Sequence, residues 1–432
     1  DGRSIHYDYD ALGRVETIAA DDERVVVEYG AFGKPARIAY TWGDERFQYD
    51  AAGRLALREQ RIDGHTFTRA YRYDELGRLH EETRPDGTTL GYRYNASVHA
   101  KPGVLASIER KGWLRSTPII SGLNEAEDRY DRSSARYGNG LELERELDLH
   151  GRLRRFGTAG VALFDFETDS QGRIVTANDG RTRTFTYDAF GRLQRASLPG
   201  SESAELAYDA AGNARIIASS EARSLLRVDT TTNRLLARVE SDGSELRYAY
   251  DPAGRTTSIG ERTFVYDGFG RLKRILQSGE PIAEYTYNTF GERIRKVVYS
   301  GSARHVTYFF YDGSKLTAEA DEHGQITKQF AYVHERAVAL LFGANTYALH
   351  TDWLGTPIAA TDEHQRIVWR AEIDPLNRVR SQRGALRIDL RGSNQYFDAE
   401  SGLHYNLHRY FDPATSRYLT PDPIGQLGGL NL

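Results

Sequence analysis

A six-residue signature, Tyr-Asp-x-x-Gly-Arg, recurs along the chain and confines it to repeat architectures. Clear copies begin at Tyr9, Tyr49, Tyr73, Tyr187 and Tyr266, and Tyr208-Asp209-Ala210-Ala211-Gly212-Asn213 differs only at its last residue. Degenerate copies at Tyr29-Gly30, Val228-Asp229, Tyr250-Asp251 and Tyr287-Asn288 fill the gaps. Marker positions 188, 209, 229, 251, 267 and 288 advance by about 20 residues, with one short step. A unit of that length holds two short strands and two reversals. One such hairpin cannot bury its own aromatic face, so successive units must stack.

Each unit reads as strand, turn, strand. Ala204, Leu206 and Tyr208 alternate onto one side of an extended chain, as do Phe185 and Tyr187. The Asp side chain caps the amides of the following turn, and the Gly three residues on accepts positive φ. Asp188, Gly191, Asp267 and Gly270 are therefore structural turn residues. The same spacing, with no Gly-Lys-Ser/Thr sequence, excludes a phosphate loop. The pattern predicts an all-β fold, an antiparallel β-ribbon over residues 1–330. An irregular insertion near 96–140 contains His99, Lys101-Pro102-Gly103, Trp113 and Pro118, with a turn of helix expected over Gly103–Arg110. The apolar run Ala337–Phe342 predicts a buried strand, and residues 331–432 form a specialised terminal region.

Composition narrows function. The 432 residues contain no Cys, which excludes disulfides, thiolate metal sites and a cysteine nucleophile. Basic and acidic residues number 57 and 61, finely mixed, so no charge imbalance points to nucleic acid. No apolar run reaches the roughly 20 residues of a membrane helix.

Chemistry concentrates near the carboxyl end. Asp398, Asp412 and Asp422 lie in one aromatic, proline-rich segment. Two carboxylates brought together by hairpins can share a proton, one activating water while the other polarises a carbonyl. Asp before Pro is also a routine turn residue, and Asp412 is expected to cap its local turn. His350, His404 and His408 lack a ligand spacing, so no metal and no cofactor is expected.

The Tyr-Asp repeats, His350-Thr351-Asp352 with Leu354-Gly355-Thr356-Pro357, and the run from Gln395 to Leu432 resemble Rhs/YD-repeat proteins. The terminal block Tyr418–Gly425, followed by Gly428-Gly429-Leu430-Asn431-Leu432, is similar to the Rhs repeat-associated core region; Gln426 departs from the Leu common there. The resemblance implies an antiparallel ribbon coiled into a hollow shell or cocoon. Such a shell encloses a carboxyl-terminal toxin and releases it by aspartic self-cleavage. Carried over residue by residue, it assigns Asp398 and Asp422 as the catalytic pair and Arg409 or Arg417 as orienting groups. It also sets the cleavage boundary at Asn431-Leu432, with Leu432 as the new end. Expected partners are the cleaved toxin and a secretion apparatus, chaperone or second shell protein, with no membrane-spanning segment. Expected localisation is the bacterial cytoplasm before export, then delivery to a target cell. A surface adhesion or carbohydrate-binding protein built from the same repeats is the alternative.

Overall fold

The computed structural model describes residues 4–21, 23–95, 103–112, 114–123, 132–198, 202–219, 222–374, 376 and 378–423. Their regular elements are 40 β-strands and two short 3-10 turns. From His6–Tyr9 to Val379–Gly384, 36 strands form one sheet, each antiparallel to the next in sequence. Four further strands, Tyr396–Asp398, Leu403–Asn406, Arg409–Asp412 and Arg417–Tyr418, make a separate small sheet.

The repeated turn explains why the ribbon is so regular. Asp188 Oδ1 accepts from the backbone N–H of Phe190 and of Arg192, each at 2.9 Å, and its Oδ2 accepts from Arg192 Nε at 2.7 Å. Asp267 holds the same three donors within 3.0 Å. Each turn is also tied to the next unit. The Arg192 guanidinium lies 4.6 Å from the Tyr208 ring centroid and donates to the Asp209 carbonyl at 3.1 Å. The Tyr208 hydroxyl reaches back to the Leu193 carbonyl at 2.8 Å. The four signature residues are therefore one cross-brace, repeated along the ladder. Gly191 and Gly270 take φ of 81° and 82°. Gly191→Val is expected to cost about 1–2 kcal/mol of stability through the left-handed backbone it must adopt, seen as a lowered thermal midpoint. An unchanged midpoint would remove this account of the turn.

One local expectation is corrected. Leu105–Lys111 is a strand and not a turn of helix, because strands Thr89–Tyr94 and Thr117–Ser121 pair with its two edges. Ile108, fully buried, points from it into the core. That strand, Thr117–Ser121 and Arg132–Tyr137 continue the ladder through the region read as an insertion, while His99, Lys101, Pro102 and Trp113 lie outside the described residues. The ladder also runs unbroken past residue 330, where Ile326–Val333 is paired on both edges; the change of sheet falls between Gly384 and Tyr396. Arg336–Phe342 is a strand with Ala337 to Leu341 buried.

Twist winds the ribbon onto itself. Residues of the first winding bond to residues 192 to 257 positions further along, among them Tyr40 with Thr289, His65 with Glu322, Thr158 with His350 and Val161 with Arg370. Buried arginines form much of this seam. Arg69 donates to the Tyr311 carbonyl at 2.6 Å, and Arg84 to the carbonyls of Thr317 and Phe330 at 3.2 and 2.8 Å. His350 joins the windings through the hydroxyls of Thr158 and Thr361, at 3.1 and 2.8 Å. The largest apolar core includes Tyr285, Phe309, Phe330 and Trp369 of the ladder with Tyr396, Tyr405 and Tyr410 of the small sheet. The small sheet is thus docked on the coil.

Candidate functional site

The docking contact is a buried knot of four charges. A register shift opposite Thr286 and Tyr287 inserts an extra residue between Arg293 and Arg295. Such a bulge re-aims the side chains beyond it, and Arg293 and Lys296 both turn toward the small sheet. Asp398, at the end of Tyr396–Asp398, accepts from Arg293 Nη1 through Oδ2 and from Lys296 Nζ through Oδ1, the latter at 2.9 Å. Lys296 Nζ also reaches Glu400 Oε2 at 3.3 Å. Arg293 and Asp398 are both fully shielded from solvent. The Arg293 guanidinium lies 4.3 to 5.9 Å from the ring centroids of Tyr285, Phe309, Tyr396, Tyr405 and Tyr410. Its Nε and Nη2 find no hydrogen-bond acceptor among the described residues, and the negative ring faces compensate them.

Burial alone would raise the Asp398 pKa, but Arg293 and Lys296 outweigh it and hold the carboxyl below its ordinary range. Glu400 moves the opposite way, raised by burial and by the neighbouring Asp398 charge. Both Asp398 oxygens are engaged, so a water bound there must share or displace a cation. Because the Glu400 folded-state pKa lies above its unfolded one, its stabilising contribution is present in acid and lost as pH rises through the folded value. Glu400→Gln is therefore expected to gain stability over the parent at neutral pH. The gain should vanish below about pH 4, the unfolded glutamate range; urea melts across pH check this, and a gain that grew in acid would reverse the sign.

The other expected residues are placed apart from this knot. Asp422 pairs with Arg409 at 2.8 Å, and the Arg409 guanidinium lies 3.7 Å from the Tyr418 ring centroid. Arg417 donates to the Asn233 carbonyl and to Asn213 Oδ1, at 2.9 and 2.5 Å, anchoring the small sheet to the coil. Each candidate carboxylate thus faces its own cations. Asp412 caps its turn, accepting from Ala414 N–H and Thr415 Oγ1 at 2.9 and 2.8 Å; burial outweighs these bonds and raises its pKa. Asn431 and Leu432 lie outside the described residues. Burial pushes His350 and His404 down to about 4, and His404 Nδ1 lies 2.8 Å from Gln395 Oε1. His408 packs instead against Gly291. Among the described residues, no group of three or more His, Asp or Glu could hold a metal ion.

Arg293, Lys296 and Glu400 were not singled out from sequence. A signal existed for Arg293: it occupies the position where Leu55, Leu79, Leu153, Ile174, Leu193 and Leu272 stand in other units. A charge in that apolar slot marks a strand with an unusual partner.

A sequential ladder wound on itself, capped at its Asp turns and docked to a small terminal sheet, has a match among known families. The family model described as Teneurin YD-shell covers residues 160–426. The chain belongs to the teneurin YD-shell family. It is an Rhs/YD-repeat shell related to polymorphic toxins. Among YD-shell relatives, Toxin protein Tse5 of Pseudomonas aeruginosa is 27% identical across 97% of this chain. Double-stranded DNA deaminase toxin A of Burkholderia cenocepacia is 28% identical across 89%. The chain spans 37% and 29% of those two proteins. A solved structure of TcdB2-TccC3-Cdc42 matches all of this YD-shell chain over 26% of its own length, with a TM-score of 0.79 and 16% identity. At that identity the likeness shows a shared all-β shell fold. No described helix is long and apolar enough to cross a membrane.

Proposed function

We propose that this chain is the shell portion of a polymorphic toxin, enclosing a toxic cargo that follows Leu432. The observation that carries the reading is the extent of the likeness. The match to a toxin protein covers 97% of the chain, and the family model runs to residue 426, past the docked terminal sheet. The shell's role is containment during synthesis and export, with a secretion apparatus, chaperone or second shell chain as partner and delivery to a target cell as its route.

Release is self-cleavage after Leu432. Water adds to the Leu432 carbonyl carbon while one carboxylate accepts its proton and the other carboxyl, in its protonated form, donates to the carbonyl oxygen; as the C–N bond breaks, the first passes its proton to the leaving amine and the re-forming carboxyl group returns a proton to the second. Asp398 and Asp422 are the assigned pair. Arg409 orients Asp422, and Arg417 anchors the short strand that precedes it.

Intact-mass analysis of a purified precursor extending beyond Leu432 tests this without added protease. The parent is expected to cleave, Asp398→Asn and Asp422→Asn to stay whole, and Asp412→Asn to cleave as the parent does. Thermal melts accompany the Asp398 variant, because that residue also holds the small sheet; Asp422→Asn carries the decision. Unchanged cleavage in both variants removes the pair, loss only in Asp412→Asn moves the assignment there, and an intact parent removes self-cleavage.

A further inference from the structure

Between the two windings lies a cavity of about 740 Å³, within the roughly 300–1,000 Å³ of sites that bury a ligand. Leu105, Ile120, Leu143 and Leu153 of the first winding line it, with Val338 and Trp353 of the second. None of the groups assigned to cleavage stands on its wall.

Two arginines, Arg145 and Arg336, interrupt this apolar lining, and buried Phe156 ties them together. Phe156 stands directly opposite Arg145 where Glu142–Leu147 pairs with Leu153–Thr158, and the Arg336 guanidinium lies 4.3 Å from its ring centroid. Arg336 Nη1 donates to the Thr351 hydroxyl and to the Asp352 carbonyl, the latter at 2.6 Å, and Nη2 to the Trp353 carbonyl at 3.3 Å. Those acceptors are all neutral. Arg145 makes no hydrogen bond or ion pair with any described residue. Burial lowers the Arg336 pKa, and Arg145 adds repulsion against the pull of the Asp352 carboxylate. Glu335, also on the wall, is neutralised by Lys315 at 3.3 Å. Counting Asp352 against the two arginines, the site keeps a net positive charge.

A cation without a counter-ion in apolar surroundings is costly, and a bound anion offsets that cost. A guanidinium takes a carboxylate with two parallel N–H bonds. We propose that this cavity binds a small amphipathic carboxylate, its head on Arg145 and its apolar body against Leu105, Leu143 and Val338. A purely polar anion such as phosphate is disfavoured, because the aliphatic wall replaces little of its hydration. Both windings contribute to the wall, so the occupant bridges them, and binding to the folded coil alone raises its stability. The site goes beyond containment and does not depend on self-cleavage.

Isothermal titration calorimetry of the whole chain with decanoate, kept below its micelle concentration, tests the site. Decanoate is expected to bind saturably and to raise the thermal midpoint. Decanol, with the same tail and no charge, is expected to bind about tenfold more weakly, the effect of one charged hydrogen bond. Arg145→Met is expected to weaken decanoate binding by about tenfold and to leave decanol binding unchanged. The unliganded variant should melt no lower than the parent, since Arg145 has no partner to lose. Arg247→Met, at an exposed arginine elsewhere on the coil, is the reference and should bind decanoate as the parent does. Equal affinity for decanoate and decanol overturns the site, as does an Arg145→Met protein that binds decanoate undiminished or loses no more than Arg247→Met. Displacement of decanoate by inorganic phosphate at a comparable concentration also overturns it, since the apolar wall would then contribute nothing.

Discussion

Arg293→Met is expected to destabilise the protein by about 3–5 kcal/mol, the range for removing one partner of a buried ion pair. Arg293 and Asp398 are both fully shielded from solvent, and Met leaves Asp398 with Lys296 alone while Lys296 is shared with Glu400. Met also forfeits the attraction of the guanidinium to five ring faces. The loss should be local before it is global. Hydrogen exchange is expected to accelerate first across Tyr396–Asp398, Leu403–Asn406 and Arg409–Asp412, whose attachment to the coil depends on this contact. Adding Asp398→Leu to Arg293→Met is expected to recover most of the loss, since a well-packed apolar pair replaces a buried ionic one at little cost. A double variant as unstable as the single would show that the defect is packing and not an uncompensated charge.

Arg69→Met is expected to be of similar size, about 3–5 kcal/mol, but to act on the coil itself. Arg69 spans the seam, donating to the Tyr311 carbonyl of the second winding at 2.6 Å and to Glu82 Oε1 of the first at 2.7 Å. Without it, a buried carbonyl loses its donor and Glu82 keeps only Arg84 as a cation. Burial would raise the Glu82 pKa, yet Arg84 and Arg69 together bring it down to about 2. Such a depressed folded pKa contributes stability above the unfolded glutamate value, lost as pH falls from about 4 toward 2. The parent coil is therefore expected to weaken over that window, and Arg69→Met to show a shallower loss there. Urea melts from pH 7 to pH 2 measure both. An Arg69→Met protein with the parent's stability and acid profile would show that the arginine seam does not hold the windings together.

The repeat was readable because its determinants are local. Asp188, Gly191 and Arg192 lie within one turn, where a carboxylate, a positive-φ glycine and a guanidinium satisfy one another whatever the rest of the chain does. Alternation at Ala204, Leu206 and Tyr208 likewise follows from the two-residue period of a strand. The helical expectation at Gly103–Arg110 failed for the converse reason: short apolar runs carry no decisive period, and the open edges of two neighbouring strands chose the strand.

The sequence by itself determined the strand-turn-strand unit and the sequential pairing, because these partners lie within about one repeat of each other. Tertiary structure alone decided which winding lies on which and that Arg293 and Lys296 face Asp398 across more than 100 residues. Those contacts depend on the accumulated twist of 36 strands. A small angle repeated many times sets where distant residues meet, and no short window of sequence contains that sum.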